Sequence, residues 1–407
     1  MMVEKAVKML TQLAMVVLLT RYLAPSEFGL LMYCYAIVSM LGFINTLGMD
    51  NILIKRFVDF PTKKLSYLKH ALVIRMSFSL ICVIVANVAG LFLVDESTRL
   101  LLFVISLYHL AMPMTVFSWL FEAEGRSDLS AVGLIAGTLA GFIFRLVCLV
   151  FSDSLVMLAW AYLIEFVVMG VAYLALSIKH MQYSSNTHLS QARTLGLLRD
   201  CFPLIFSGAI VLLYMKADQI MLGSMVGQAE VGMYVAATRL SEAWYFVGLT
   251  LIGVYYPKML HIKKHQSREL YFTAIVKDGR WIVWGALVLA VVTSLISGPL
   301  INILYGDNYH ASANVLIVSI WAVPFVYMGA IASKMYVAES KQGLVFWRSC
   351  WGLLINISLN YWLIPIYGAT GAAVATLVSQ AFVGVLFNLF DLIPGVLRTQ
   401  WRMVLGR

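Results

Sequence analysis

The chain has 407 residues, of which 61% are hydrophobic and only 12% are charged, and its mean hydropathy is +0.87. A soluble domain is about half apolar and about a quarter charged, so this composition excludes a soluble enzyme, a disordered chain and a disulfide scaffold. Twelve membrane-spanning helices of about 21 residues each would use roughly 250 residues, which matches the apolar fraction. The sequence therefore predicts an all-α, polytopic membrane protein.

Twelve apolar runs follow one another along the chain. They cover residues 6–24, 28–54, 71–94, 100–121, 131–151, 155–177, 203–226, 232–256, 281–304, 313–338, 344–363 and 371–393. Lys5 and Lys8 precede the first run, as in a signal peptide, but no cleavage site of small residues follows it. We therefore expect a retained first helix and twelve transmembrane helices in all.

The net charge of +9 does not indicate nucleic-acid binding, because Lys and Arg lie mostly in alternate connections between the runs. The positive-inside rule places these basic connections in the cytoplasm. It predicts that both termini and the loops near Lys63, His188 and Lys263 are cytoplasmic. The loops near Asp153 and Asp307 are expected outside.

The residues that usually hold metals or perform catalysis form no enzyme signature. The five cysteines are far apart, and the chain has neither a phosphate-binding P-loop nor an H-E-x-x-H motif. His261 and His265 have metal-like spacing but flank two lysines, which favours a solvated basic loop. The predicted outer loops are also too short to carry chemistry. These absences argue against an enzyme, and we expect no metal and no cofactor.

Short matches between the two halves indicate an internal repeat. Glu27–Leu30 (EFGL) matches Glu230–Met233 (EVGM), and Ala123–Arg126 (AEGR) matches Ala338–Lys341 (AESK), in the same order and direction. An even number of helices in each half preserves the orientation, so we expect two parallel six-helix lobes around a central cavity. The predicted organisation is an N-terminal lobe (1–177), a cytoplasmic linker (178–202), a C-terminal lobe (203–393) and a basic cytoplasmic tail (394–407).

Cations inside the apolar runs are the strongest pointers to a functional site, because a charge at the bilayer centre costs several kcal/mol. Arg145, Lys216 and Lys334 lie within such runs. We expect them to line a polar cavity and bind an anionic substrate, with structural ion pairing as the alternative. Arg21 and Arg239 are weaker candidates for the same role.

Three acidic residues in the same regions, Asp218, Glu165 and Glu242, are expected to couple an ion or to form structural pairs. Arg239 and Glu242 are three residues apart on a helix, which favours an ion pair. Lys216 and Asp218 are two residues apart, so their side chains should face different partners.

Two further patterns concern helix packing. Gly133, Gly137 and Gly141 place small residues on one face of the fifth helix, which predicts a close approach by a neighbouring helix. Arg75 lies nearer the end of the third run, and we expect its side chain to snorkel toward the membrane surface.

Four segments resemble the signatures of one known family. They are residues 21–29 (R-x-L-x-P-x-x-F-G), 218–234 (D-x-x-x-x-G…V-G-x-Y), 304–313 (L-Y-G-x-x-Y…A) and 356–373 (N-x-x-L-N…I-P-x-x-G-x-x-G-A-A). Together they span nearly the whole chain in the expected order. The chain resembles the polysaccharide (O-antigen type, Wzx-like) flippases of the multidrug/oligosaccharidyl-lipid/polysaccharide exporter superfamily.

The resemblance implies a flippase that moves undecaprenyl-pyrophosphate-linked oligosaccharide repeat units across the bacterial inner membrane by alternating access. Such transport serves the synthesis of O-antigen in lipopolysaccharide, capsule or exopolysaccharide. The implied partners are this lipid-linked oligosaccharide, membrane lipids, a polysaccharide polymerase and a chain-length regulator.

Three other classes of protein are alternatives. An ion-coupled drug or metabolite antiporter of the same superfamily would share the fold, with fewer cations in its cavity. A flippase for lipid-linked peptidoglycan precursors would be expected to carry helices beyond twelve. A membrane polysaccharide polymerase would need a large outer loop and paired acidic residues, and the sequence has neither.

Overall fold

The computed structural model describes residues 2–152, 154–180, 190–390 and 393–405, and these ranges consist of helices and short turns with no strand. The α-helices are α1 (Met2–Tyr22), α2 (Pro25–Met40), α3 (Gly42–Thr46), α4 (Met49–Asp59), α5 (Lys64–Leu93), α6 (Glu96–Ser106), α7 (Tyr108–Ala111), α8 (Val116–Ala123), α9 (Ser127–Phe151), α10 (Leu155–His180), α11 (Gln191–Met225), α12 (Gln228–His265), α13 (Arg268–Tyr305), α14 (Ser312–Ser319), α15 (Ala322–Ala338), α16 (Gln342–Gly384) and α17 (Val396–Leu405). Short 3₁₀ helices occur at Pro61–Lys63, Met112–Thr115, Asp307–Tyr309 and Leu386–Phe390.

Eight helical stretches of the described chain are long and apolar enough to cross a membrane, by length and composition. They are Pro25–Asp59, Pro61–Leu93, Glu96–Ala123, Ser127–Phe151, Leu155–His180, Arg268–Tyr305, Ser312–Ala338 and Gln342–Phe390. The all-α, polytopic class is thus confirmed.

The count of twelve helices stays a prediction. Helices α1, α11 and α12 lie at predicted positions but are not among the eight stretches. The eleventh and twelfth predicted runs are two helices that follow each other directly within α16 and meet at Gly368, where the backbone is not helical, with φ of 54° and ψ of −134°.

The chain forms two compact units. The first consists of the described parts of Met1–Met15 and Leu31–Lys216, and the second of those of Val16–Leu30 and Ala217–Arg407. Helices α1, α2 and α11 therefore each contribute residues to both units.

The predicted lobe boundaries stay a prediction. Residues 181–189 of the predicted linker, which include His188, lie outside the described residues, as does Asp153. The described part of the linker is not an extended connection, because α11 begins at Gln191 rather than at residue 203.

The turn after α8 and the turn after α15 have the same backbone geometry, as the repeat predicts. Gly125 in the first turn and Ser340 in the second both lie in the left-handed region, with φ of 72° and 56°. The next amide donates to the carbonyl five residues earlier in both turns, at 2.8 Å from Arg126 and at 2.9 Å from Lys341. The same local fold therefore occurs twice.

The glutamate at each of these turns forms an ion pair with a lysine. Lys64 Nζ lies 3.0 Å from Glu124 Oε1 in the first unit, and Lys263 Nζ lies 2.9 Å from Glu339 Oε1 in the second. Lys64 begins α5 and Lys263 lies in the last turn of α12, so the two lysines occupy different places in the repeat.

Two helices of the first unit are interrupted inside predicted apolar runs. The second run breaks at Leu47 and Gly48, which have φ of 52° and 62°. The fourth run changes to a 3₁₀ helix at Met112–Thr115, where Pro113 removes a backbone donor. Each break leaves backbone carbonyls without their usual helical partners, which is costly inside a membrane protein.

Arg75 binds the groups that both breaks release. Its side chain is 0% exposed. It donates to the carbonyl and Oδ1 of Asn45 at 3.1 and 2.9 Å, to the carbonyl of Met112 at 3.2 Å, and to Thr115 Oγ1 at 2.9 Å. The guanidinium also lies over the ring of Trp119, 4.7 Å from its centre. The expectation that Arg75 snorkels is wrong, because carbonyls inside the unit satisfy its donors.

The glycine face of α9 packs closely on α10, as predicted. A Cβ on Gly133 would collide with the ring of Tyr173, and one on Gly137 would lie 2.6 Å from the Cβ of Met169. A Cβ on Gly141 would lie 2.9 Å from that of Glu165. This close approach fixes the position of Glu165 beside α9.

Candidate functional site

Two of the predicted substrate-binding cations lie on a pair of stacked tyrosines in the first unit. The rings of Tyr35 on α2 and Tyr162 on α10 are 4.6 Å apart between centres and inclined by 18°. The guanidinium of Arg145 on α9 lies 4.6 Å from the centre of Tyr162, and Lys216 Nζ on α11 lies 5.5 Å from that of Tyr35. We call these four residues the tyrosine stack. It joins α2 to the consecutive helices α9, α10 and α11, which come much later in the sequence.

A carboxylate lies beside one end of the tyrosine stack. Glu165 Oε2 is 3.5 Å from Arg145 Nη2, and the two side chains are only 11% and 12% exposed. Cation–π contacts hold a cation without neutralising it, whereas an ion pair balances its charge. The two cations and Glu165 together carry a formal charge of +1.

A second polar cluster surrounds Asp218 in the second unit, where the side chain is 5% exposed. Its Oδ2 accepts hydrogen bonds from the hydroxyls of Tyr234 at 2.5 Å and Thr376 at 2.6 Å, and its Oδ1 accepts one from Asn360 Nδ2 at 2.5 Å. Asn356 Oδ1 accepts a second bond from Asn360 at 3.1 Å. We call these five residues the Asp218 cluster.

The Asp218 cluster is rich in oxygen atoms and holds a buried acceptor without a partner. Asn360 Oδ1 is buried and receives no hydrogen bond in the described structure. Buried polar groups are normally satisfied, so such an atom calls for an explanation. Oxygen ligands around a carboxylate are the donors that hard cations prefer.

Lys216 and Asp218 face different partners, as their spacing predicts. Lys216 faces Tyr35 in the first unit, whereas Asp218 belongs to the cluster in the second. Helix α11 passes from the first unit to the second between Lys216 and Ala217. The two charged positions are therefore joined by less than one helical turn of backbone.

The other predicted site residues do not join the tyrosine stack. Arg239 and Glu242 form the ion pair that their spacing predicts, with Nη1 and Oε2 3.0 Å apart. Lys334 lies over the ring of Tyr256, with Nζ 4.7 Å from its centre. Both sets belong to the second unit.

Arg21 contacts the end of a helix, which indicates a structural role. Its Nε donates to the carbonyl of Leu304 at 2.9 Å, and its Nη2 donates to that of Ile303. These carbonyls belong to the last turn of α13, where intrahelical partners are lacking. The contacts favour a capping role for Arg21 over substrate binding.

The signature residues around Arg21 pack on the same region. The hydroxyl of Tyr309 donates to the carbonyl of Leu23 at 3.1 Å, and its ring makes an edge contact with Phe28. Tyr305 donates to the carbonyl of Ala236 at 3.0 Å. Two of the family-like segments thus hold one end of the second unit together.

Several residues of both clusters were missed at the level of sequence. Tyr35 and Tyr162 are two of 20 tyrosines, and no local pattern sets them apart. Asn356 and Asn360 could have been identified as candidates from the sequence, since they are four residues apart on one helix face and lie in a family-like segment. Distant packing alone brings them to Asp218.

Comparison with known proteins identifies the family. Residues 1–263 match the model of a family described as polysaccharide biosynthesis proteins. The chain belongs to this family. The capsular polysaccharide biosynthesis protein CapF of Staphylococcus aureus is 22% identical over 196 residues. That match covers 48% of this chain and 49% of CapF, so it spans about half of each protein.

Solved structures of membrane transporters share the fold of this polysaccharide biosynthesis protein. The lipid II flippase MurJ in an inward closed conformation has a TM-score of 0.81 at 16% identity, covering 99% of this chain and 90% of that one. An inward-facing multidrug resistance MATE family transporter of the MOP superfamily has a TM-score of 0.67 at 14% identity, covering 98% and 94%. The chain therefore has the two-lobe transporter fold and is a multi-pass membrane protein. The resemblance to polysaccharide flippases is confirmed at the level of family and fold.

Proposed function

We propose that this protein is a flippase that moves undecaprenyl-pyrophosphate-linked oligosaccharide repeat units from the inner to the outer leaflet of the bacterial inner membrane. Alternating access would carry the head group across while the lipid tail stays in the bilayer. The observation that carries the proposal is the tyrosine stack, which holds Arg145 and Lys216 within helices of a polysaccharide biosynthesis protein.

The chemistry of the substrate supports this role. A pyrophosphate and many sugar hydroxyls cannot cross hydrocarbon unaided, because each unsatisfied polar group costs several kcal/mol and each charge costs more. Cations at membrane depth can replace the lost hydration of the pyrophosphate. In the stack, Arg145 and Lys216 lie against the faces of Tyr162 and Tyr35 within the apolar helices, where an anionic head group would meet them.

We place ion coupling at the Asp218 cluster. A carboxylate that is 5% exposed needs a proton or a cation to offset its charge when its hydrogen-bond donors are hydroxyl and amide groups. The unsatisfied Oδ1 of Asn360 supplies a further ligand for a monovalent cation. Because Asp218 lies two residues from Lys216 on α11, binding at one position would affect the helix that carries the other.

The proposal includes the orientation given by the positive-inside rule, with both termini in the cytoplasm. A polysaccharide polymerase and a chain-length regulator would consume the product on the outer side. An ion-coupled drug antiporter of the same superfamily is the competing function, and the experiment below separates the two.

The test uses cells that carry the matching polysaccharide pathway but lack their own flippase. We expect Lys216→Gln to lower surface polysaccharide at least tenfold at wild-type protein abundance, with lipid-linked repeat units building up on the inner leaflet. Lys216→Arg should restore part of the export, and Lys264→Gln, an exposed position on α12, should have no effect. If Lys216→Gln and Arg145→Gln both export normally at wild-type abundance, the proposal is wrong.

A double variant separates binding from structural pairing at Arg145. Arg145→Gln alone leaves the buried Glu165 unpaired, so abundance should fall, and Glu165→Gln should restore it. If Arg145 binds substrate, the double variant is abundant but still fails to export. Export by the double variant would show that Arg145 and Glu165 form a structural ion pair and that Arg145 does not bind substrate.

A further inference from the structure

The basic connection after the eighth predicted run is helical in the structure. Helix α12 continues to His265, and only Gln266 and Ser267 separate it from α13. Met259 packs in the hydrophobic core of the second unit, which supports the helix beyond the predicted end of the run at residue 256. The expectation of a loop at His261 and His265 is therefore wrong, and the two histidines are held by a helix.

The rings of these two histidines lie side by side. Their spacing of four residues places them on one face of α12. The ring centres are 4.6 Å apart, and the ring planes are inclined by 41°. Both side chains are exposed, and no hydrogen bond within the described chain uses their ring nitrogens. Two imidazoles at this spacing on a helix are a pair that divalent transition metals bind.

The lysines around the pair are expected to repel a cation, but two of them bind carboxylates instead. Lys258 Nζ lies 2.9 Å from Asp278 Oδ2, and Lys263 Nζ lies 2.9 Å from Glu339 Oε1. Lys264 is exposed, so water and salt screen its charge. The positive charge at the two rings is therefore smaller than the sequence indicates.

The end of a helix is also a favourable place for a cation. Helix α12 has 38 residues, and His265 is the last of them. The aligned peptide dipoles give the last turn of a helix a partial negative charge, which stabilises cations there. Imidazole nitrogens select transition metals, since hard cations such as Mg²⁺ prefer oxygen ligands. In the described part of the chain, no third histidine, cysteine or acidic residue joins the pair as a ligand.

We propose that His261 and His265 form a binding site for Zn²⁺ or a similar divalent transition metal ion on the predicted cytoplasmic side. One nitrogen of each ring binds the ion at about 2.0–2.1 Å, and water supplies the remaining ligands. The bound ion crosslinks the last turn of α12, directly before the turn into α13. The site departs from the expectation of no metal, which treated this segment as a loop. It does not depend on the proposed transport function.

The test measures Zn²⁺ binding to the purified full-length protein, prepared without a histidine tag, by calorimetry in detergent. We expect one Zn²⁺ per chain, and Mg²⁺ should not compete for the site. His261→Gln and His265→Gln should each lower the affinity at least tenfold, because only one imidazole remains. His180→Gln, the same change at an exposed helical histidine in the first unit, is the matched control and should have no effect.

A second variant keeps the number of histidines but changes their spacing. In it, His265→Gln is combined with Gln266→His, and its affinity for Zn²⁺ should be as low as that of the single variants. With Cu²⁺ as the probe, electron paramagnetic resonance should detect two imidazole nitrogens in the wild-type protein and one in His265→Gln. Because both histidines are exposed, the metal-free variants should unfold at the wild-type temperature.

Three results would overturn the proposal. They are unchanged Zn²⁺ affinity in both single variants, wild-type affinity in the variant with altered spacing, and a Cu²⁺ spectrum of the wild-type protein without two imidazole nitrogens.

Discussion

Gly29 of α2 and Gly232 of α12 lie against each other in a reciprocal contact. A Cβ on Gly29 would collide with the carbonyl of Gln228, and a Cβ on Gly232 would collide with that of Pro25. The internal repeat pairs Pro25 with Gln228 and Gly29 with Gly232, so each helix contributes the same two positions. A reciprocal contact of this kind is the mark of a local two-fold axis.

Replacement of either glycine should therefore separate the two helices. We expect Gly29→Ala and Gly232→Ala each to destabilise the protein by about 1–3 kcal/mol, because an added methyl group has no space. Their combination should cost less than the sum, since one separation relieves both collisions. Thermal unfolding of each variant in detergent measures these losses of stability. Gly285→Ala, on α13 with open space around its Cβ, is the control and should be neutral or slightly stabilising.

Arg75 should be essential for stability rather than for transport. Arg75→Gln removes charged hydrogen bonds to two helix breaks and leaves Asn45 unsatisfied, so we expect a loss of about 3 kcal/mol or more. Arg75→Lys should also be unstable, because an ammonium group cannot reproduce the several hydrogen bonds that the planar guanidinium donates. Protein abundance and unfolding temperature are the readouts, with Arg99→Gln as control. A stable Arg75→Gln protein that lacks transport would contradict the structural role.

The orientation can be tested by cysteine labelling in a Cys350→Ala background. Asp307 and Lys264 are both exposed in the structure. In intact cells, an impermeant maleimide should label Asp307→Cys, because the positive-inside rule places this turn outside. Lys264→Cys should react only after permeabilisation. The opposite pattern would reverse the topology.

Much of the fold could be predicted because apolar runs, residue spacings and repeated motifs can be identified directly in the sequence. The match of Ala123–Arg126 to Ala338–Lys341 predicted equivalent turns, and Gly125 and Ser340 indeed share a left-handed backbone. The spacing of Arg239 and Glu242 likewise gave their ion pair.

The interrupted helices could not be predicted in the same way. A run that contains Leu47 favours a continuous helix, and the break is compensated by distant side chains such as the buried Arg75. The partners of Lys216 and Asp218 could not be predicted either, because Tyr35 and Asn360 lie on helices that are distant in sequence. The charged positions could be identified from the sequence, since an ionisable residue is conspicuous in an apolar run. The residues that contact these charges could not be identified.

Asp218 should determine how transport depends on an ion gradient. Asparagine keeps the shape of the side chain but carries no charge, so Asp218→Asn no longer requires a proton or cation. We expect transport by this variant in proteoliposomes to become insensitive to imposed sodium and pH gradients. Glu242→Gln, which removes a partly exposed ion pair, should retain the wild-type dependence. An Asp218→Asn protein with unchanged ion dependence would place coupling elsewhere.

The most direct measurement follows a lipid-linked oligosaccharide between leaflets of proteoliposomes that contain the purified protein. A membrane-impermeant enzyme that modifies the sugar reports the fraction in the outer leaflet over time. The wild-type protein should exchange the whole pool, Lys216→Arg should do so more slowly, and Lys216→Gln should leave half of the pool protected. Equal exchange by wild type and Lys216→Gln, or no exchange by the wild-type protein, would contradict a flippase that relies on the tyrosine stack.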